Sequence, residues 1–127
     1  MTERYRVMRL DEVDGYADEG RPRWHMIRAI LGIESFGINA WRATEAGQVL
    51  IGEHDELGPG AGGHEELYFV VSGRATFTVE GAPVAAPEGS LVYVKDPRTR
   101  RSAVADEAAT TILVLGTDVR SGAFAGP

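Results

Sequence analysis

Sixteen glycines and six prolines cut this chain into pieces of strand length, and that punctuation limits what it can fold into. From residue 36 onward the pieces read FGINAWRAT, QVLIGEHDEL, EELYFVV, RATFTVE, SLVYV, RSAVA and TTILVLG. Each is rich in β-branched or aromatic residues, the composition that suits a pleated, half-buried surface. The links SG, EGAP and PEG carry turn residues, and ADEAA is a small polar connection that suits a hairpin. So many antiparallel strands in so short a span predict an all-β sandwich or small barrel, because closure removes exposed edges.

The first part of the chain is less regular. RYRVMRLDEV (4–13) reads as an edge strand and DGYADEGRPR as a polar loop. In WHMIRAILGI, Trp24, Ile27 and Leu31 are spaced for one face of a short helix. The organisation expected is an N-terminal extension over residues 1–35 packing on a barrel of residues 36–116, with a loosely ordered tail over 117–127. GPGAGG (58–63) reads as a flexible glycine loop.

Composition narrows the partners. At 127 residues and 43% hydrophobic, the chain supports one core and one domain. Thirteen basic against nineteen acidic residues give a net charge of -6, which opposes the counterion release that nucleic acids and anionic membranes reward. The charged N-terminal residues contain no secretory apolar segment, and no apolar run approaches the ~18 residues of a membrane span. The expectation is a cytoplasmic protein with no nucleic-acid and no membrane partner. With no cysteine, a metal would need histidine and carboxylate ligands.

The stretch GHEELYFVVSGRATFTVEG (63–81) concentrates the chemistry. Alternation puts His64, Glu66, Tyr68 and Val70 on one face and Glu65, Leu67, Phe69 and Val71 on the other. An imidazole and a carboxylate on one buried face must be hydrogen-bonded, metal-bound or solvated in a pocket. Glu65 and Glu53 read as outward charge and His25 as structural. Trp24, Trp41 and Tyr93 read as core or interface aromatics, or as the lining of a ligand pocket. No Gly-x-Ser-x-Gly, phosphate-cradling or dinucleotide fingerprint occurs, since GPGAGG lacks the Lys-Ser/Thr that phosphate needs.

Glu66, followed by LYFVVS and Gly73, resembles the second half of the first motif of the cupin superfamily, and PEGSLVYV (87–94) resembles the turn and strand that follow. The likeness runs from about residue 39 to 116. It implies a single-domain cupin, a double-stranded β-helix or jelly-roll barrel, with a short N-terminal helix, and also a homodimer. The departures concern the metal ligands. Two family histidines fall near Gly60 and Gly62, and a third falls at Arg100, whose guanidinium cannot lose a proton to bind a cation. Arg100 is therefore expected to hold the Glu66 carboxylate as a fork.

A looser reading lets HDE (54–56) replace the missing histidines. His54 and Glu56 with His64 and Glu66 then make a set suited to iron, manganese, zinc or nickel. The expected ligand pocket is His64, Glu66, Tyr68 and Arg100, and the expected metal ligands are His54, His64 and Glu66. Three functions follow as alternatives. The first is a barrel that binds a small-molecule ligand beside a degenerate metal site and takes no metal or little. The second is a dioxygenase, isomerase or decarboxylase using one divalent ion at His54, His64 and Glu66. The third is an interaction module whose interior is filled by side chains.

Overall fold

The computed structural model describes residues 4–13, 15–57 and 63–118. The fold is nearly all β. One turn of 3-10 helix (Leu10–Glu12) precedes a small hairpin, β1 (Gly15–Tyr16) and β2 (Arg23–His25), and the helix α1 (Ile27–Leu31). Then follow β3 (Gly37–Arg42), β4 (Val49–His54), β5 (His64–Ser72), β6 (Arg74–Val79), β7 (Ala82–Pro87), β8 (Leu91–Val94), β9 (Arg101–Ala105) and β10 (Thr111–Asp118). One sheet runs β1-β2-β3-β10-β5-β8 and the other β4-β9-β6-β7, with antiparallel pairing throughout.

Alternation builds the interior. Tyr68 and Val70 of β5, Ala75 and Phe77 of β6, Ala103 and Ala105 of β9 and Ile112 of β10 all point between the sheets and are buried. Burying a side chain such as Phe77 or Ile112 stabilises by ~1.5–3 kcal/mol. A second, smaller core lies outside the barrel. Ile27 of α1 packs with Val13 and Ala40, flanked by Ile30, Leu31, Ile38 and Leu113, so the helix covers the outer side of β3 and β10. Gly32 ends α1 in the left-handed conformation that spares a Cβ clash.

Three expectations change. Residues 4–13 form no strand; their one regular element is the 3-10 turn. The helix is shorter than WHMIRAILGI suggests, because Trp24 belongs to β2 and pairs with Trp41 of β3. Residues 82–87, read as turn chemistry, form β7. Its Pro83 and Pro87 are tolerated because β7 is a sheet edge that pairs with β6 alone. β10 runs on to Asp118; the rest of the expected tail and most of the glycine loop, Gly60 and Gly62 included, lie outside the described residues.

Tight turns hold these strands in register. Glu80 and Gly81 both take positive φ between β6 and β7, the geometry that matches the twist of a two-residue hairpin. Gly73, at φ 78° between β5 and β6, lies so close to Thr110 that an added Cβ would overlap it, 2.7 Å from its Cα. No helix among the described residues is long and apolar enough to cross a membrane.

Candidate functional site

At one end of the barrel, β4, β5 and β9 bring six polar side chains together. β4 reaches this point through irregular pairing with β9. Ile51 faces Ala103 and His54 faces Arg101, so two residues of β4 are spanned by one of β9. The extra residue is a β-bulge, and it lets Ile51 and His54 both turn inward although strict alternation would oppose them. Beyond the strand, Glu56 is pinned by its backbone: its N–H donates to the Pro97 carbonyl and its carbonyl accepts from Gly63 N–H.

His54 is oriented from behind, since its Nδ1–H donates to the Gly52 carbonyl at 2.8 Å. Its Nε2 then lies 3.2 Å from Glu56 Oε2 and 3.5 Å from Glu66 Oε1. Hydrogen bonds that His54 donates to Glu56 and then to Glu66 raise its pKa to about 10, more than burial lowers it. Both bonds favour the protonated ring. On the other side of Glu56, His64 Nδ1 lies 2.9 Å from Oε1 and is buried with it.

Glu66 anchors the second half of the cluster. Its Oε1 accepts from Tyr68 OH at 2.5 Å and from the Arg101 guanidinium at 2.7 Å. Burial pushes the Glu66 carboxyl up, yet the hydrogen bonds from His54, Tyr68 and Arg101 together outweigh it and hold the pKa at about 2. Burial and then the Glu66 charge push the Tyr68 hydroxyl well above its ordinary range. Gly116 sits opposite Glu66 across the β5–β10 pair, and a Cβ there would meet the Glu66 side chain at 3.4 Å.

Arg101 completes the network with no exposed surface. Its guanidinium donates to Glu66, to Tyr68 OH at 3.1 Å and to the Thr99 carbonyl at 2.7 Å. The expected fork at Arg100 is thus one residue off. Arg100 points outward, half exposed, and pairs with Glu53 at 3.0 Å and Asp55 at 3.7 Å. The reason is the two-residue period of β9: Arg101, Ala103 and Ala105 share the inner face, so Arg100 cannot. The signal was present in RSAVA, where the small residues that fit a crowded interior lie in phase with Arg101.

The three donor atoms that converge, all within 4.8 Å of one another, come from His54, Glu56 and Glu66. His64, expected among the ligands, stands behind Glu56 instead. Next to the cluster lies a cavity of about 230 Å³, lined by His54, Glu66 and Tyr68 together with Trp24, Asn39 and Trp41. Trp24 and Trp41 stack with ring centroids 5.4 Å apart and planes 9° from parallel. Tyr93 is elsewhere, exposed on the outer face and donating to Glu65. His25 is buried, with Nδ1 2.8 Å from the Val13 carbonyl.

No protein-family model and no curated protein matches the sequence. Solved structures do. A protein with a double-stranded β-helix domain from Klebsiella pneumoniae superposes with a TM-score of 0.68 at 17% identity, over 97% of this chain and 98% of that one. A cupin protein from Bacteroides fragilis gives 0.67 at 16% identity, over 94% and 89%. A predicted oxalate decarboxylase from Thermotoga maritima gives 0.68 at 13% identity, over 87% and 97%. The chain has the cupin fold, the double-stranded β-helix that Glu66, Gly73 and their surroundings suggested.

Proposed function

We propose that this cupin-fold barrel binds a small organic molecule in its interior cavity, beside a metal site that has given way to an ion pair. The observation that carries this reading is Arg101, fully buried and bonded to both Glu66 and Tyr68. With His54 as imidazolium, two cations face the two carboxylates Glu56 and Glu66, and the cluster balances its own charge. A divalent ion would have to displace the His54 proton and sit near a guanidinium that shares the same Glu66 oxygen, both unfavourable at low local dielectric.

A second reading keeps the metal. The His54, Glu56 and Glu66 donors converge, and one imidazole with two carboxylates is a donor set that suits manganese, iron, nickel or zinc. Such an ion would supply Lewis-acid or redox chemistry, as in a metal-dependent decarboxylase, isomerase or dioxygenase. Similarity to a predicted oxalate decarboxylase is in keeping with it.

Metal analysis of the untagged protein, purified without chelator, separates the two. The ion-pair reading expects well under one ion per chain and no rise in Tm on adding manganese, ferrous iron, nickel or zinc. One ion per chain, lost in His54→Ala and kept in Arg100→Ala, would establish the metal reading instead.

A further inference from the structure

Helix α1 covers only half of the outer face of the six-stranded sheet. It packs over Ile38 and Leu113, on β3 and β10. On the other half, Leu67 of β5 pairs with Leu115 and Tyr93, and Phe69 with Leu91, all on the side away from the buried Tyr68 and Val70. Leu91 and Tyr93 are 65% and 56% exposed. Phe36, Leu67, Tyr93 and Leu115 also line a cavity of about 300 Å³ on this side.

The same chain carries a second apolar strip that its own fold leaves bare. Residues 4–9 belong to no helix or strand, and Arg6 ties them to α1 by donating to the Ile30 carbonyl at 3.0 Å. Tyr5 and Val7, on either side of it, are 81% and 85% exposed. Since a whole aromatic side chain presents ~150–250 Å², the exposed side chains of strip and face offer on the order of 600 Å² of apolar surface per chain. A standard interface buries ~800 Å² per partner, somewhat over half of it apolar, so the two patches supply what one needs. Charge agrees with this pairing. Residues 4–10 hold Arg4, Arg6 and Arg9 and no acid, a formal +3 within a total of -6, which leaves -9 on the rest of the chain. Glu65 stands on the bare face, where Tyr93 donates to it.

We propose that two copies of this chain pack about a twofold axis, each laying its residues 4–9, with Tyr5 and Val7, over the uncovered β5–β8 half of the other copy's sheet. Strip and face belong to one chain, so a single twofold axis satisfies both and the assembly closes at two copies. The attraction between a basic segment and an acidic body favours the encounter, and the apolar contact holds it. This pairing goes beyond the ligand-binding reading and does not depend on it.

Sedimentation of the full chain gives its mass in solution, and we expect twice the chain mass. Tyr5→Ser with Val7→Ser on the strip, or Leu91→Arg on the face, should each weaken self-association at least about tenfold while leaving the far-UV spectrum unchanged. The sequence holds no cysteine, so contact between unlike chains can be read directly. Val7→Cys and Leu91→Cys chains, co-expressed under different tags and treated with a bismaleimide, should give a covalent pair containing one of each. A mass of one chain would overturn the proposal, as would a dimer that survives both sets of substitutions. A crosslink that forms only within a chain carrying both cysteines would overturn it too, because the segment would then cover its own face.

Discussion

Arg100 and Arg101 are neighbours in the chain and end on opposite sides of the barrel wall, Arg100 half exposed against Glu53 and Arg101 fully buried against Glu66. They should respond differently to removal. Arg101→Met leaves the Glu66 carboxylate buried without its guanidinium, a loss of the order of 3–5 kcal/mol. Arg100→Ala breaks only surface pairs, which water and salt screen, and should cost far less. Urea unfolding of the two variants measures the difference, and equal losses would mean that Arg101 is not the buried partner.

Removing both partners should cost less than the single losses suggest. Glu66→Gln with Arg101→Met deletes both charges, so neither is left stranded in the interior. A double-mutant cycle should give a coupling of about 1–3 kcal/mol. Additive losses would contradict a direct pair.

Tyr68→Phe keeps the ring, which packs edge-on against Phe77 at 5.5 Å, and removes only the hydroxyl shared by Glu66 and Arg101. Its expected cost is about 1–3 kcal/mol. The Glu66 carboxyl should rise from about 2, because one of the bonds holding it down is gone. NMR titration of the carboxyl carbon would check this.

Stability should fall at both pH extremes, and the two losses are linked through the contact of His54 with Glu66. His54 is raised to about 10, so its contribution is complete below the ordinary histidine value of about 6.5 and is lost as pH rises through 10. Glu66 is lowered to about 2, so its contribution is complete above the ordinary carboxyl range and is lost as pH falls toward 2. In His54→Gln the alkaline loss between pH 6.5 and 10 should flatten, and the acid loss should shrink and begin at higher pH, because a bond that holds the Glu66 carboxyl down is gone. A curve unchanged on the alkaline side would assign that loss elsewhere.

Gly73→Ala tests the strand turn that sets the phase of β5. The residue combines φ of 78° with backbone of Thr110 where the new methyl would go. Left-handed backbone alone costs ~1–2 kcal/mol for a residue with a Cβ, so the total should exceed about 2 kcal/mol. Gly81→Ala has the same sign of φ but open space around it, and should cost less.

Much of this protein was legible in the chain. Seven of the strands from β3 onward follow from apolar and β-branched runs between glycines and prolines, because burial on a pleated surface is a local pattern of period two. The same period placed His64, Glu66, Tyr68 and Val70 together on the inner face of β5. β7 escaped because its prolines are permitted only by its place at a sheet edge, which pairing decides.

The site divides along the same line. The sequence by itself placed a carboxylate and a histidine on a covered strand face, whereas the expectation that Arg100 would neutralise the interior missed by one residue. Which arginine depended on the phase of β9 against β6 and β4, since a shift of one residue exchanges inside for outside. The approach of His54 to Glu66 needed a bulge in β4, the removal of His64 behind Glu56 needed a loop pinned to Pro97, and the stacking of Trp24 on Trp41 needed a hairpin from the far end of the chain. These are contacts between residues distant in sequence, where geometry is set by packing and pairing across the whole barrel and no local pattern records it.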